Sequence, residues 1–160
     1  MLTNSMETNL KEFWAEFAPL LVVCGRGWRR ALNIMLIDHN LSDATAAPLI
    51  MLLRRGDLIP QGVLAERVGV EGPTLVRVLD GLENDGLIRR LPDDADRRIK
   101  LVQLTDEGTR VAERCERCAA ELREIMLGDI EPKQMLAALE VMRIIAGKAA
   151  ALTGAENNDA

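Results

Sequence analysis

The 160-residue sequence has no tyrosine, two phenylalanines, two tryptophans and one histidine. Leu, Ala, Val, Ile and Met must therefore fill the interior, a composition that leans helical. The single histidine, His39, is accompanied by no recognisable nucleophile motif, which argues against a hydrolase or an acid–base enzyme. Cysteines are few and odd in number (Cys24, Cys115 and Cys118), so they imply no disulfide framework. Cys115 and Cys118 have no second pair to complete a metal site and read as small core residues. Gly25-Arg26-Gly27 lacks the third glycine and the preceding strand of a dinucleotide fingerprint, so no cofactor is expected. No apolar run approaches a membrane span. The opening MLTNSMETNLKEF lacks the basic start and apolar run of a signal peptide, so cytoplasmic residence is expected.

Positive charge is also in deficit. Twenty Lys and Arg face 25 Asp and Glu, a formal net charge of −5, which by itself argues against a nucleic-acid partner. The deficit is uneven. Residues 54–101 carry nine basic and nine acidic groups, whereas residues 102–160 carry seven and eleven. A neutral average can still hide a basic face, so spacing must decide.

Leu21, Trp28, Leu32, Met35 and Leu36 recur at helical spacing and predict a helix from Pro19 to about Asp38. Ser42 can cap a second helix over 42–55, although Pro48 is awkward inside it. A short helix over 61–68 follows, then Gly69 as a turn. Pro73 opens another helix, in which Leu75, Val78, Leu79 and Leu82 form one apolar face. Two short helices around a glycine turn make a helix-turn-helix. LIRRL and RRIKLVQL then flank Pro92-Asp-Asp-Ala-Asp96 and predict a β-hairpin. Thr105 caps a long helix, Gly128 to Pro132 breaks it, and a last helix runs from Pro132 to about Leu152. The fold class is thus mainly α with a small hairpin wing, a winged helix-turn-helix. Its winged region is 42–105, flanked by helical regions 1–41 and 106–152, with a disordered tail at 153–160.

A charged turn such as DDADRR is ordinarily a solvated loop. Beside a helix-turn-helix, however, it lies over the DNA backbone and the minor groove, where negative potential attracts arginine. Asp96 is close enough in sequence to hold an arginine by charge-assisted hydrogen bonds.

From Leu64 to Gly108 the sequence LAERVGVEGPTLVRVLDGLENDGLIRRLPDDADRRIKLVQLTDEG resembles the DNA-binding region of the MarR family of bacterial transcriptional regulators. The LVR, LDGLENDGLIRR and DRR…LT elements are most similar to its SlyA-like branch. The resemblance implies a homodimer intertwined through its N- and C-terminal helices and bound to palindromic double-stranded DNA. It implies that Thr74 and Arg77 lie at base- and phosphate-contacting positions of the recognition helix, with Glu71 and Gly72 at its N-terminal approach. It also implies that Arg98 enters the minor groove, that Asp96 braces it, and that Arg97 meets phosphate.

Family members bind small aromatic or phenolic ligands between the dimer helices and the DNA-binding lobe. Arg26, Trp28, Arg29 and His39 are the candidates for that pocket, because arginine beside an apolar ring suits an aromatic acid. The reading implied is a ligand-relieved repressor and not an enzyme. Two alternatives stand beside it. Cys24, close to Arg26 and Arg29, could make a redox-sensing regulator. The acidic total charge would suit a winged-helix protein-interaction module that does not bind DNA.

Overall fold

The computed structural model describes residues 2–39, 41–56 and 58–153, with the side chains of residues 2–9 and His39 outside the description. The elements are α1 (Leu2–Leu36), one 3-10 turn (Ile37–His39), α2 (Asp43–Arg55), β1 (Ile59–Pro60), α3 (Gln61–Val68) and α4 (Gly72–Asn84). They are followed by β2 (Ile88–Pro92), β3 (Lys100–Leu104), α5 (Asp106–Leu127) and α6 (Pro132–Thr153). Residues 154–160 of the expected tail lie outside the described residues, and Thr153 belongs to α6.

The first helix departs from expectation. It starts at Leu2, and Pro19 lies inside it. An interior proline removes one hydrogen bond and crowds the preceding turn. The residues before it, Asn9-Leu-Lys-Glu-Phe-Trp-Ala-Glu-Phe-Ala18, are mostly good helix formers and carry the helix through.

α2 does start where its cap predicts. The Ser42 hydroxyl accepts from the Thr45 N–H (3.3 Å), and the Thr45 hydroxyl accepts from the Ser42 N–H (2.9 Å), a reciprocal capping box. Pro48 is buried within the helix and does not delay its start.

The sheet is antiparallel with order β1-β3-β2, so the hairpin has a third strand. Ile59 pairs with Val102 and Pro60 with Leu101 on one side of β3, and Ile88 to Pro92 pair with Leu104 to Lys100 on the other. β1 has two residues, too few for a period-two pattern to register in sequence.

The core joins every α-helix and strand from α1 to α5. Leu36, Leu49, Leu64, Leu75, Leu79, Leu82, Val102 and Cys115 are all fully buried. Each buried leucine contributes about 1.5–3 kcal/mol of transfer free energy. α6 is different, because none of its residues is buried.

The start of α5 is docked against the loop before β2. The Thr105 N–H donates to the Leu87 carbonyl (3.0 Å), and its hydroxyl donates to the Gly86 carbonyl (2.7 Å) and accepts from the Gly108 N–H (2.9 Å). Gly108 permits this approach, since a Cβ there would collide with the Leu87 carbonyl.

Candidate nucleic-acid interface

α3 and α4 meet at Gly69, which adopts φ 72°, a conformation that favours glycine. Its N–H donates to the Glu66 carbonyl (3.1 Å), and the Val70 N–H donates to the Ala65 carbonyl (3.1 Å), closing α3 and turning the chain into α4. In α4, Leu75, Leu79 and Leu82 face the core. Helical geometry therefore turns Pro73, Thr74, Arg77, Asp80 and Asn84 outward, and all five are exposed. Glu71 is the N-cap residue and Gly72 the first helical residue, and both are exposed at the same end. The structure thus brings Glu71, Gly72, Thr74 and Arg77 onto one solvent-facing edge. Arg77 takes part in no ion pair among the described residues.

The hairpin tip is an ordered network. The Asp93 carboxylate accepts from the N–H groups of Ala95 (2.8 Å) and Asp96 (3.0 Å). The Asp96 carbonyl accepts from the Ile99 N–H (2.8 Å), and the Ile99 carbonyl accepts from the Asp93 N–H (3.1 Å). This leaves the Asp96 carboxylate aimed at Arg98. One oxygen accepts from the Arg98 backbone N–H (3.0 Å) and Nε (3.1 Å), the other from Nη2 (3.0 Å). The side-chain hydrogen bond from Arg98 holds the Asp96 carboxyl below the usual carboxylate range. The Arg98 side chain is nonetheless 91% exposed, so Nη1, on the edge away from Asp96, remains available. Arg97 is exposed beside it.

Sequence reasoning missed the tie between recognition helix and wing. Arg90 of β2 donates from Nε (2.9 Å) and Nη2 (2.6 Å) to Glu83, and from Nη2 to Asp80 (2.6 Å). Its backbone N–H also donates to the other Glu83 oxygen (2.9 Å). The Arg90 hydrogen bond draws the Glu83 carboxyl below its ordinary range, and the Glu83 hydrogen bond in turn raises Arg90. No periodic signal marks a pair that closes across a turn.

The candidate pocket residues whose side chains are described fall into two places. Trp28 packs against the core, whereas Arg26 and Arg29 line an open groove along α1 with Ile34 and Ile37. The His39 side chain is outside the described residues. Arg29 Nε lies 3.5 Å from the Asp43 carboxylate at the start of α2, and the Asp43 N–H donates to Asn33 Oδ1 (2.7 Å). Burial raises the Asp43 carboxyl, and Arg29 partly offsets this. A cavity of about 130 Å³ opens beside this pair, lined by Ala44 and Ala47 of α2, by Val68, and by Thr74, Leu75 and Val78 of α4. Thr74 therefore borders both the exposed edge and the cavity.

Cys115 is fully buried and Cys118 half-buried, as core residues, while Cys24 is exposed on α1. Burial pushes the Cys115 thiol up to about 11. Among the described residues no helix is long and apolar enough to cross a membrane, and no acid, cysteine and histidine cluster could hold a metal ion.

The MarR family model matches residues 42–100, the segment from the α2 cap to the start of β3. The transcriptional regulator PA3341 is 40% identical, with 83% of this chain and 98% of that one covered at a TM-score of 0.74. A MarR-family transcriptional regulator from Silicibacter pomeroyi is 30% identical, covering 90% of this chain and 93% of its own at 0.69. A mutant MarR from E. coli complexed with operator DNA is 22% identical, covering 81% and 93% at 0.71, a likeness of fold. With its helix-turn-helix, its three-stranded wing and relatives of this identity over nearly their whole length, the chain belongs to the MarR family of transcriptional regulators.

Proposed function

We propose that the chain is a sequence-specific double-stranded DNA-binding regulator, a homodimer that represses from a palindromic operator until a small aromatic or phenolic ligand releases it. The observation that carries this reading is the Arg98–Asp96 brace. An almost fully exposed arginine held by a two-pronged carboxylate has lost side-chain entropy in advance of binding while keeping its outer face open. Such a group suits the narrow, electronegative minor groove beside a recognition helix. Thr74 and Arg77 are disposed to meet base edges and phosphates, Glu71 and Gly72 to approach the backbone, and Arg97 to meet phosphate. Fold likeness to a relative complexed with operator DNA supports the same reading.

Assembly follows from unburied apolar surface. α1 exposes Phe13, Trp14 and Leu20, and α6 exposes Leu136, Leu139 and Met142. An apolar surface of this extent calls for a partner, and a second copy with the same helices can cover it isologously. Ligand release is proposed at the cavity beside Arg29. Its volume is close to that of cavities that admit a benzene ring, and a ligand carboxylate would compete with Asp43 for Arg29. Because Thr74 forms part of its wall, filling it would press on the recognition helix.

Selection from a random pool of duplexes by the purified protein tests the proposal. Enrichment of a palindrome is expected, bound by a particle of twice the chain mass in light scattering. A pool left unenriched, or an operator bound tightly by a monomer, would overturn it.

A further inference from the structure

The basic side chains near the interface differ in whether their charge is already engaged. Arg90 is held by Asp80 and Glu83, Arg98 by Asp96, and Arg89 donates to Gln103 (3.0 Å). Lys100, the first residue of β3, is exposed, and its side chain takes part in no hydrogen bond or ion pair among the described residues. It lies on a groove of about 410 Å³ between the wing base and the start of α3, whose walls include Gln61, Glu66, Arg98 and Ile99. Strand register explains the arrangement. Pro60 pairs with Leu101, so Gln61, the first residue of α3, and Lys100 both adjoin that last pair of the ladder and line the groove. The wing arginine and this lysine thus look onto one groove from the same strand end.

We propose that this groove is a second DNA-backbone site, in which Lys100 neutralises a phosphate and the Gln61 amide donates to it, next to the segment read by Arg98. The proposal rests on the DNA-binding reading above. Lysine suits the role because its compact, mobile point charge can meet a phosphate without a fixed geometry. Glu66 on the opposite wall repels phosphate and confines it to the Lys100 side. The two residues should differ in signature. A lysine–phosphate contact releases counterions and sets a salt slope, whereas a neutral amide contact adds affinity without one. Neither carries sequence information, because phosphate contacts position the protein and base contacts specify.

The test titrates wild type, Lys100→Gln, Lys100→Arg and Gln61→Ala against the pool-selected duplex and a mixed-sequence duplex across a salt series. Lys100→Gln should weaken both duplexes by a similar factor and lower the slope of log K against log salt by about 1 for each Lys100 engaged. Lys100→Arg should restore the slope, and Gln61→Ala should weaken binding with the slope unchanged. An unchanged slope in Lys100→Gln, or a loss confined to the selected duplex, would overturn the site while leaving the DNA-binding reading intact. A wild type that binds neither duplex would overturn both. Thermal melts should be indistinguishable between Lys100→Gln and wild type, since the side chain is exposed. A lowered melt would instead make Lys100 a structural residue and refute the proposal.

Discussion

Replacing Gly108 with alanine should destabilise the protein, although the same change inside a helix ordinarily stabilises it. The added Cβ would enter the space of the Leu87 carbonyl oxygen. That carbonyl cannot simply withdraw. It accepts from the Thr105 N–H at 3.0 Å, and the Leu87 N–H is itself fixed to the Leu82 carbonyl at 2.9 Å. Relief therefore requires the first turn of α5 to shift away from the loop. The Thr105 cap is then lost at about 1 kcal/mol, and the Thr105–Leu87 hydrogen bond at about 1 kcal/mol. Overpacking strain adds about 1–3 kcal/mol, and alanine's helix propensity returns about 1 kcal/mol. The net loss is about 2–4 kcal/mol, which for a chain of this length lowers Tm by roughly 2–4 °C per kcal/mol. Gly81→Ala is the control, because its Cβ would meet open space within α4, and it should be neutral or stabilising. Both variants should be melted at one protein concentration, since a dimer's Tm depends on it. If Gly108→Ala matches or exceeds the wild-type Tm, the close-approach argument is refuted.

The buried Cys115 thiol and the cavity beside Arg29 give two further outcomes. The Cys115 thiol is raised from an ordinary 9.0 to about 11 by burial. Its stabilising contribution is therefore complete below about pH 9 and is lost as pH rises through about 11. Two units at about 1.4 kcal/mol each bound that loss at about 3 kcal/mol. Unfolding titrations should show the decline, and Cys115→Ala should flatten it; an equal decline in the variant would assign the effect elsewhere. Salicylate-like acids should raise the dissociation constant for the selected duplex, and DNA should weaken the acids reciprocally. Arg29→Ala should abolish the response, and inhibition retained in both Arg26→Ala and Arg29→Ala would refute the pocket.

The helix-turn-helix was legible because its punctuation is local. Ser42, Gly69, Pro73 and Thr105 each sit where a cap or turn needs that residue type, and the leucines of α4 repeat at helical spacing. Where local chemistry and tertiary context disagree, sequence reading fell short. Pro19 looks like a boundary, yet good helix formers before it carry α1 through. β1 is too short to show a pattern and exists because β3 offers it a pairing edge. Within the interface, the spacing of Asp96 and Arg98 already implied a brace, since the two lie within one turn. The Glu83–Arg90–Asp80 tie and the Lys100 groove arise only once the hairpin folds back beside α3 and α4. Trp28 separates from Arg26 and Arg29 because neighbours in sequence on a helix point to different faces. Trp28 turns to the core, while Arg26 and Arg29 turn to the groove.

The central claim is that the aspartates of DDADRR act through Arg98. A double-mutant cycle of Asp96→Ala and Arg98→Ala on the selected duplex tests it most directly. A pure charge argument has Asp96→Ala strengthening binding, because a carboxylate near phosphates is repulsive. The brace requires Asp96→Ala to weaken specific binding, and most of that loss to vanish when residue 98 is already alanine. Tighter binding by Asp96→Ala at low salt, or additive effects of the two changes, would contradict the account.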